Sequence, residues 1–292
     1  MPTLRRGRFR KINGLDRPTI GELSSLITRR QFGKGLAASL AVAALHRSDS
    51  HKLNIGIGTF SYHNLSIDDM IVQLNRLNIS QIEMSRGEFM LFSKPSDDLF
   101  HSTREKLDRA QIQCVSYYTA TIKDDQDVEN AVRFAKVLGA RNVSGDATGD
   151  TLNLLDARFT KAGLSFGIHN HYFKGGKFPY ESPDDVWNAL AKLSPTVGAT
   201  ADVGQFTSCG YDSVSAIRKL GPRLKLVHLK DIQAPNDEVN VLLGNGIAKI
   251  PEVLAELRHQ KFAGLVAVEY EKEGPVEEDM RQEVEYARRL AG

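Results

Sequence analysis

The chain has 292 residues, 41% of them hydrophobic and 25% charged, which leaves room for one large α/β barrel or two small domains. Its formal charge of +2 hides an asymmetry: residues 1–46 carry nine Lys/Arg and two Asp/Glu, so the remainder holds 29 basic against 34 acidic side chains. A mildly acidic body disfavours nucleic-acid binding, which draws on clustered Lys and Arg for its phosphate contacts.

Residues 28–34 read TRRQFGK and run into the small, apolar stretch Gly35 to Leu45. Twin arginines Arg29 and Arg30, then Phe32, Lys34 and a short hydrophobic run, resemble a twin-arginine (Tat) export signal. The apolar stretch is too short for a bilayer, which needs about 20 residues, so no stable membrane anchor is expected. Ala41-Val42-Ala43 offers a small-x-small cleavage site. The expectation is a leader over 1–46, engagement of the Tat export machinery and a periplasmic or otherwise exported body. That pathway carries folded proteins, so a metal can be inserted before export, away from competing copper and zinc.

From residue 50 onward short β-rich runs alternate with helical patterns. Strands are expected at Leu53–Thr59, Gln81–Ser85, Gln113–Thr119, Arg141–Gly145, Ser165–Asn170, Val197–Val203, Leu224–Lys230 and Gly264–Glu271. Amphipathic runs lie between them: Ile67–Leu77, Asp97–Ala110, Gln126–Leu138, Thr151–Ala162, Pro183–Leu193, Asp212–Leu220 and Ile250–His259, with a final helix over Glu277–Leu290. Strict alternation calls for a parallel sheet with helices outside, and eight units close a (β/α)8 TIM barrel, here a single domain over 50–292. An open doubly wound sheet would carry a Gly-rich phosphate loop after its first strand, which GIGTFSYHN matches poorly. The two cysteines, Cys114 and Cys209, fall near strands three and six, nearly opposite in such a barrel, so no disulfide is expected.

Functional groups of this fold sit at the C-terminal ends of the strands, where an otherwise apolar strand needs a reason to carry charge. Strand five ends His169-Asn170-His171, and alternation sets both histidines opposite Phe166 and Ile168. Strand six brings Asp202 inward after Thr200, strand seven His228 and Lys230, and strand eight Glu269. Imidazoles and carboxylates converging on a barrel mouth outline a divalent-metal site of mixed N/O ligation, suited to Mn, Zn, Fe or Co rather than Ca.

The segments LNISQIEMS, FGIHNHYF, GATADVGQF, GPRLKLVHLKD and GNGIAKIPEVLAELRHQKFAGLVAVEYE resemble the xylose-isomerase-like family of sugar phosphate isomerases and epimerases over residues 52 to 291. The resemblance implies one divalent ion, manganese foremost, held by a Glu on strand five and by residues matching Asp202, His228 and Glu269. It also implies paired Glu bases that move the proton α to a carbonyl through an enediolate. Glu83 matches a sugar-contact position of the family, and Lys230 and His171 face the substrate side. Two departures stand out. His169 replaces the strand-five Glu, which keeps a ligand but removes one carboxylate base, so catalysis is expected from Glu269 with His169. Gln205 stands where the family often has His; it can hydrogen-bond substrate but not shuttle a proton.

The expected function is therefore a metal-dependent isomerase or epimerase of a sugar or keto-sugar. Two alternatives remain: a lyase or hydrolase of an oxidised (3-keto) glycoside using the same metal, and a non-catalytic sugar-binding barrel. An abasic-site endonuclease of the same fold would need several more His and acidic ligands, and His101 lies on a helix.

Overall fold

The computed structural model describes residues 51–292; the Tat signal expected over residues 1–46 lies outside the described residues. Eight parallel strands form a closed barrel: β1 (Asn54–Gly58), β2 (Gln81–Met84), β3 (Gln113–Thr121), β4 (Asn142–Asp146), β5 (Ser165–His169), β6 (Val197–Asp202), β7 (Leu224–Leu229) and β8 (Leu265–Val268), with β8 pairing β1. Each lies within three residues of its expected span.

Helices follow the strands: α1 (Ile67–Arg76), α2 (Asp97–Arg109), α3 (Asp125–Leu138), α4 (Asp150–Ala162), α5 (Pro183–Leu190), α6 (Val203–Ser208), α7 (Ser213–Leu220), α8 (Ile250–His259) and α9 (Glu277–Leu290). Their starts are written in the sequence. Ser66, Ser96, Asp124 and Asp212 each accept a backbone N–H from the first turn of α1, α2, α3 and α7. Ser182 and Asp185 form a reciprocal capping box on α5, with Pro183 leading the first turn. At the end of α3, Gly139 takes φ 74°, the left-handed turn that lets the chain reverse into β4. Helix α6 and a small ribbon pairing Asp231–Ile232 with Asn240–Val241 were not expected, being too short to show periodicity.

The core has two parts. Outward-facing Phe166, Ile168, Val227 and Leu229 are fully buried in the layer between barrel and helices. A separate small cluster of Leu226, Leu265 and Ala267, with Val115 packed on it, fills the barrel. Period-2 alternation carries Leu226 to His228 and Ala267 to Glu269, so the polar set stands at the C-terminal side of this apolar plug. Pairing of Asp202 and Ala267 with His228 holds β6, β7 and β8 in the register that aligns it.

Candidate metal centre

Asp202, at the end of β6, is fully buried, and its two carboxylate oxygens have different tasks. Oδ1 accepts the Gln205 N–H at 2.9 Å and caps α6, while Oδ2 makes no hydrogen bond. Asn170, the middle residue of His-Asn-His, clips β5 to β6 by accepting from Asp202 N at 2.9 Å and donating to Asp202 O at 3.0 Å. That double bond fixes the backbone from which Asp202 and His169 project.

His228 is oriented from behind. Its Nε2 lies 2.5 Å from Glu83 Oε2, and Glu83 Oε1 in turn accepts from Ser116 Oγ at 2.8 Å and from Ser144 Oγ. An ionised carboxylate only accepts, so a proton sits on Nε2 and Nδ1 faces the barrel mouth. Nδ1 is buried without a hydrogen-bond partner, 3.8 Å from Asp202 Oδ2 and 3.5 Å from Glu269 Oε2. His169 Nε2 lies 3.9 Å from Asp202 Oδ2, and the His169 and His228 ring centres are 5.1 Å apart. One ligand atom each from His169, Asp202 and His228 lies within 4.8 Å of the others, and Glu269, outside that set of three, approaches His228 Nδ1 at 3.5 Å.

These residues suit a divalent ion. Tetrahedral ligands on bonds of about 2.1 Å stand roughly 3.4 Å apart, close to the 3.5, 3.8 and 3.9 Å seen among the four groups. The orphaned Asp202 Oδ2 and His228 Nδ1 are the kind of buried polar atoms that need an explanation. Positive charge beside them, whether a proton on Nδ1, the Lys230 ammonium 3.2 Å from Oδ2 or a metal ion, satisfies the pair.

The electrostatics agree. Burial alone would lower the His228 proton affinity, but the Glu269 and Glu83 carboxylates outweigh it and hold the pKa well above the usual imidazole value. The site therefore demands positive charge at Nδ1, as a proton or as a metal ion. Burial and the neighbouring His228 push His169 well below its usual value, leaving the neutral imidazole a ligand needs. Burial would raise Asp202, but Lys230 and the two histidines keep it ionised. Burial raises Glu269 above the ordinary carboxylate range, in the direction that suits a proton acceptor.

Above these groups lies a cavity of about 160 Å³, lined by His169, His171, Gln205, His228, Lys230 and Glu269 among others. Gln205 Oε1 accepts from Tyr172 N at 2.9 Å, and His171 Nδ1–H donates to Tyr172 O at 2.6 Å. Glu83, expected as a sugar contact, is fully buried and does not line the cavity; its bonds to His228, Ser116 and Ser144 hold it behind the site. Five lining residues were not expected from the sequence: Tyr118, packed edge-on to His169 at 5.2 Å, with Phe60, Ser85, Met90 and Glu271. Only Glu271 carried a signal, as a second acid on the inward face of the VEYE run.

The chain is thus a parallel eight-stranded barrel with a His/carboxylate cluster that could hold a metal ion at its C-terminal mouth. A family model described as xylose isomerase-like TIM barrel matches residues 73–290, and the chain belongs to that family. No curated protein matches the chain. Among solved structures, a sugar phosphate isomerase/epimerase from Parabacteroides distasonis is similar at 20% identity, over 84% of this chain and 97% of that one, with a TM-score of 0.63. D-allulose 3-epimerase from Methylomonas sp., in complex with D-allulose, is similar at 13% identity, over 83% and 98%, with a TM-score of 0.67. A probable 3-DHS dehydratase from Bacillus anthracis is similar at 12% identity, over 80% and 98%, with a TM-score of 0.64. At these identities the likeness is one of fold.

Proposed function

We propose that the protein is a metal-dependent isomerase or epimerase acting on a sugar or keto-sugar. The observation that carries this is the pair of buried ligand atoms without hydrogen bonds, Asp202 Oδ2 and His228 Nδ1, beneath a cavity lined by His169 and Glu269. Those four residues would hold the ion, with manganese, zinc, cobalt or iron all compatible with two imidazoles and two carboxylates. A bound divalent ion supplies Lewis-acid stabilisation for negative charge developing on a substrate carbonyl oxygen.

The remaining work falls to side chains. Glu269 is the carboxylate at the cavity with a raised pKa, and it takes the proton α to the carbonyl. Gln205 and His171 are held by the Tyr172 backbone and present fixed polar edges to substrate hydroxyls. Lys230 brings a positive charge to the same wall. A cavity of about 160 Å³ is small beside the 300–1,000 Å³ typical of drug-sized ligands, which favours a single sugar ring over an oligosaccharide.

Strand five offers His169 and no carboxylate, and this favours a second reading. With one carboxylate base, proton removal followed by loss of a leaving group, as in a lyase of a 3-keto glycoside, needs fewer groups than reprotonation on the opposite face. Incubation with keto-sugars in heavy water separates the two. Isomerisation or epimerisation incorporates deuterium at the carbon α to the carbonyl, whereas elimination releases the aglycone. A sugar-binding barrel without catalysis would do neither, and that outcome would sink the enzyme reading.

We also propose export by the Tat machinery, from the Arg29-Arg30 motif and the apolar run behind it. Replacing both arginines by lysine is expected to leave the protein in the cytoplasm. Unchanged periplasmic levels of the double variant would contradict it.

A further inference from the structure

Lys230 follows β7 directly and is 2% exposed. Its ammonium nitrogen lies 3.2 Å from Asp202 Oδ2 and 3.2 Å from Glu269 Oε2, the same two oxygens that the metal reading assigns to the ion. Neither contact is a hydrogen bond; Asp202 Oδ2 has no hydrogen-bond partner at all. The one hydrogen bond from Lys230 Nζ goes to Glu271 Oε1, at 2.5 Å. Glu271 stands at the cavity rim with its side chain 36% exposed, whereas Asp202 is wholly buried.

The fold makes deliberate room for this lysine. Its stem crosses Gly204 at the start of α6, where an added Cβ would meet Lys230 Cγ at 2.9 Å, Cβ at 3.0 Å and Cδ at 3.1 Å. Any residue but glycine there would push the stem out of the wall. Burying an ammonium costs several kcal/mol unless it is paired, so this placement is held by the three carboxylates around it. Glu83, Asp202, Glu269 and Glu271 outnumber the cations Lys230 and His228 by two charges, so the cradle still attracts a further cation. An ammonium and a divalent ion drawn to the same two oxygens repel each other strongly in a poorly screened interior.

We propose that Lys230 is the resident counter-ion of the metal cradle and that Glu271 is the partner that keeps it when a metal arrives. Metal loading would then be a cation exchange: Asp202 and Glu269 would give up the ammonium to hold the ion, and Lys230 would keep only its hydrogen bond to Glu271. Lys230 weakens metal binding by competing for the ligands, and Glu271 strengthens it by receiving the displaced charge. Both are positioning residues for the centre. The inference rests on the metal reading above and adds opposite signs for two members of one ion pair, which a purely structural salt bridge would not give.

The test is calorimetric titration of chelator-stripped protein with Mn²⁺, repeated with Zn²⁺, for the wild type, Lys230→Met and Glu271→Gln. Glu271→Gln is expected to bind about 10-fold more weakly, as on loss of other supporting partners of a metal site, and Lys230→Met more tightly by a factor of about 10 or more. Metal-free Lys230→Met is expected to melt lower than the wild type, and Mn²⁺ to raise its Tm by the larger amount. Equal or weaker binding by a folded Lys230→Met overturns the exchange while leaving the metal reading intact. Should Lys230→Met fail to fold, Glu271→Gln decides alone, and an affinity equal to that of the wild type overturns the proposal. If neither the wild type nor Lys230→Met binds Mn²⁺ or Zn²⁺, the metal reading falls and this inference with it.

Discussion

The two halves of the barrel mouth are built for different tasks. The β5–β8 half carries His169, Asp202, His228 and Glu269, each within one residue of the end of its strand, the first three brought together at one spot. The β2–β4 part of the other half contributes Glu83, Ser116 and Ser144, which point at the back of His228 rather than at the cavity. Asn142 Nδ2 donates to Ser116 Oγ at 3.0 Å and extends that network one residue further. One half holds the charge that would bind an ion, and the other fixes the tautomer of a single ligand. A barrel can thus place its chemistry on four adjacent strands and use the opposite strands as a hydrogen-bonded buttress.

This division predicts a ranking of effects. Asp202→Ala or His228→Ala should abolish metal binding and α-proton exchange, because each removes a ligand from the centre of the set. Retained metal content in either variant would erase the distinction between the halves. Glu83→Gln leaves every proposed ligand in place but exchanges the carboxylate behind His228 for a neutral amide. It should weaken metal binding by roughly 10-fold, in keeping with other partners of metal-bound histidines. A loss as large as that of His228→Ala would make Glu83 a ligand in its own right. Ser116→Ala and Ser144→Ala each remove one donor to Glu83 Oε1, and each should cost less than Glu83→Gln. Affinities measured by the same titration would order all of these variants.

Legibility in the sequence follows the same line. Asp202, His228 and Glu269 were visible because charge at the end of an apolar strand is costly without a purpose, and strand alternation aimed them inward. The buttress was silent. Ser116 and Ser144 are small hydroxyl residues that any strand tolerates, and Glu83 announced itself as an acid without revealing that it sits behind a histidine and away from the cavity. Barrel order and element bounds were legible because eight apolar runs alternate with capped amphipathic helices. Helix α6 was hidden inside Asp202-Val203-Gly204-Gln205, where residues suggesting a substrate contact also begin a helix capped by Asp202 itself.

The prediction with no bearing on metal binding lies away from the mouth and concerns stability alone. Glu283 on α9 accepts from Leu243 N at 3.1 Å through Oε1, while Oε2 is buried without a partner. Burial pushes its pKa up to about 8, with Asp231 and Asp279 adding to the rise against the Leu243 N–H. A carboxyl with a raised folded-state pKa contributes full stability below its unfolded value near 4.5 and loses it as pH climbs toward 8. The integrated loss is on the order of a few kcal/mol. Glu283→Gln should therefore leave Tm nearly unchanged at pH 4.5 and raise it progressively to pH 8.5. A constant Tm difference between the two proteins across that range would remove the explanation.

The central claim is that His169, Asp202, His228 and Glu269 form one divalent-metal centre. Elemental analysis after dialysis against Mn²⁺, Zn²⁺ or Co²⁺ tests it most directly, with folded Asp202→Ala as the control. The account predicts about one ion per wild-type chain and none retained by the variant. A folded wild-type protein that holds none of the three metals, or an Asp202→Ala variant that holds as much as the wild type, would contradict it.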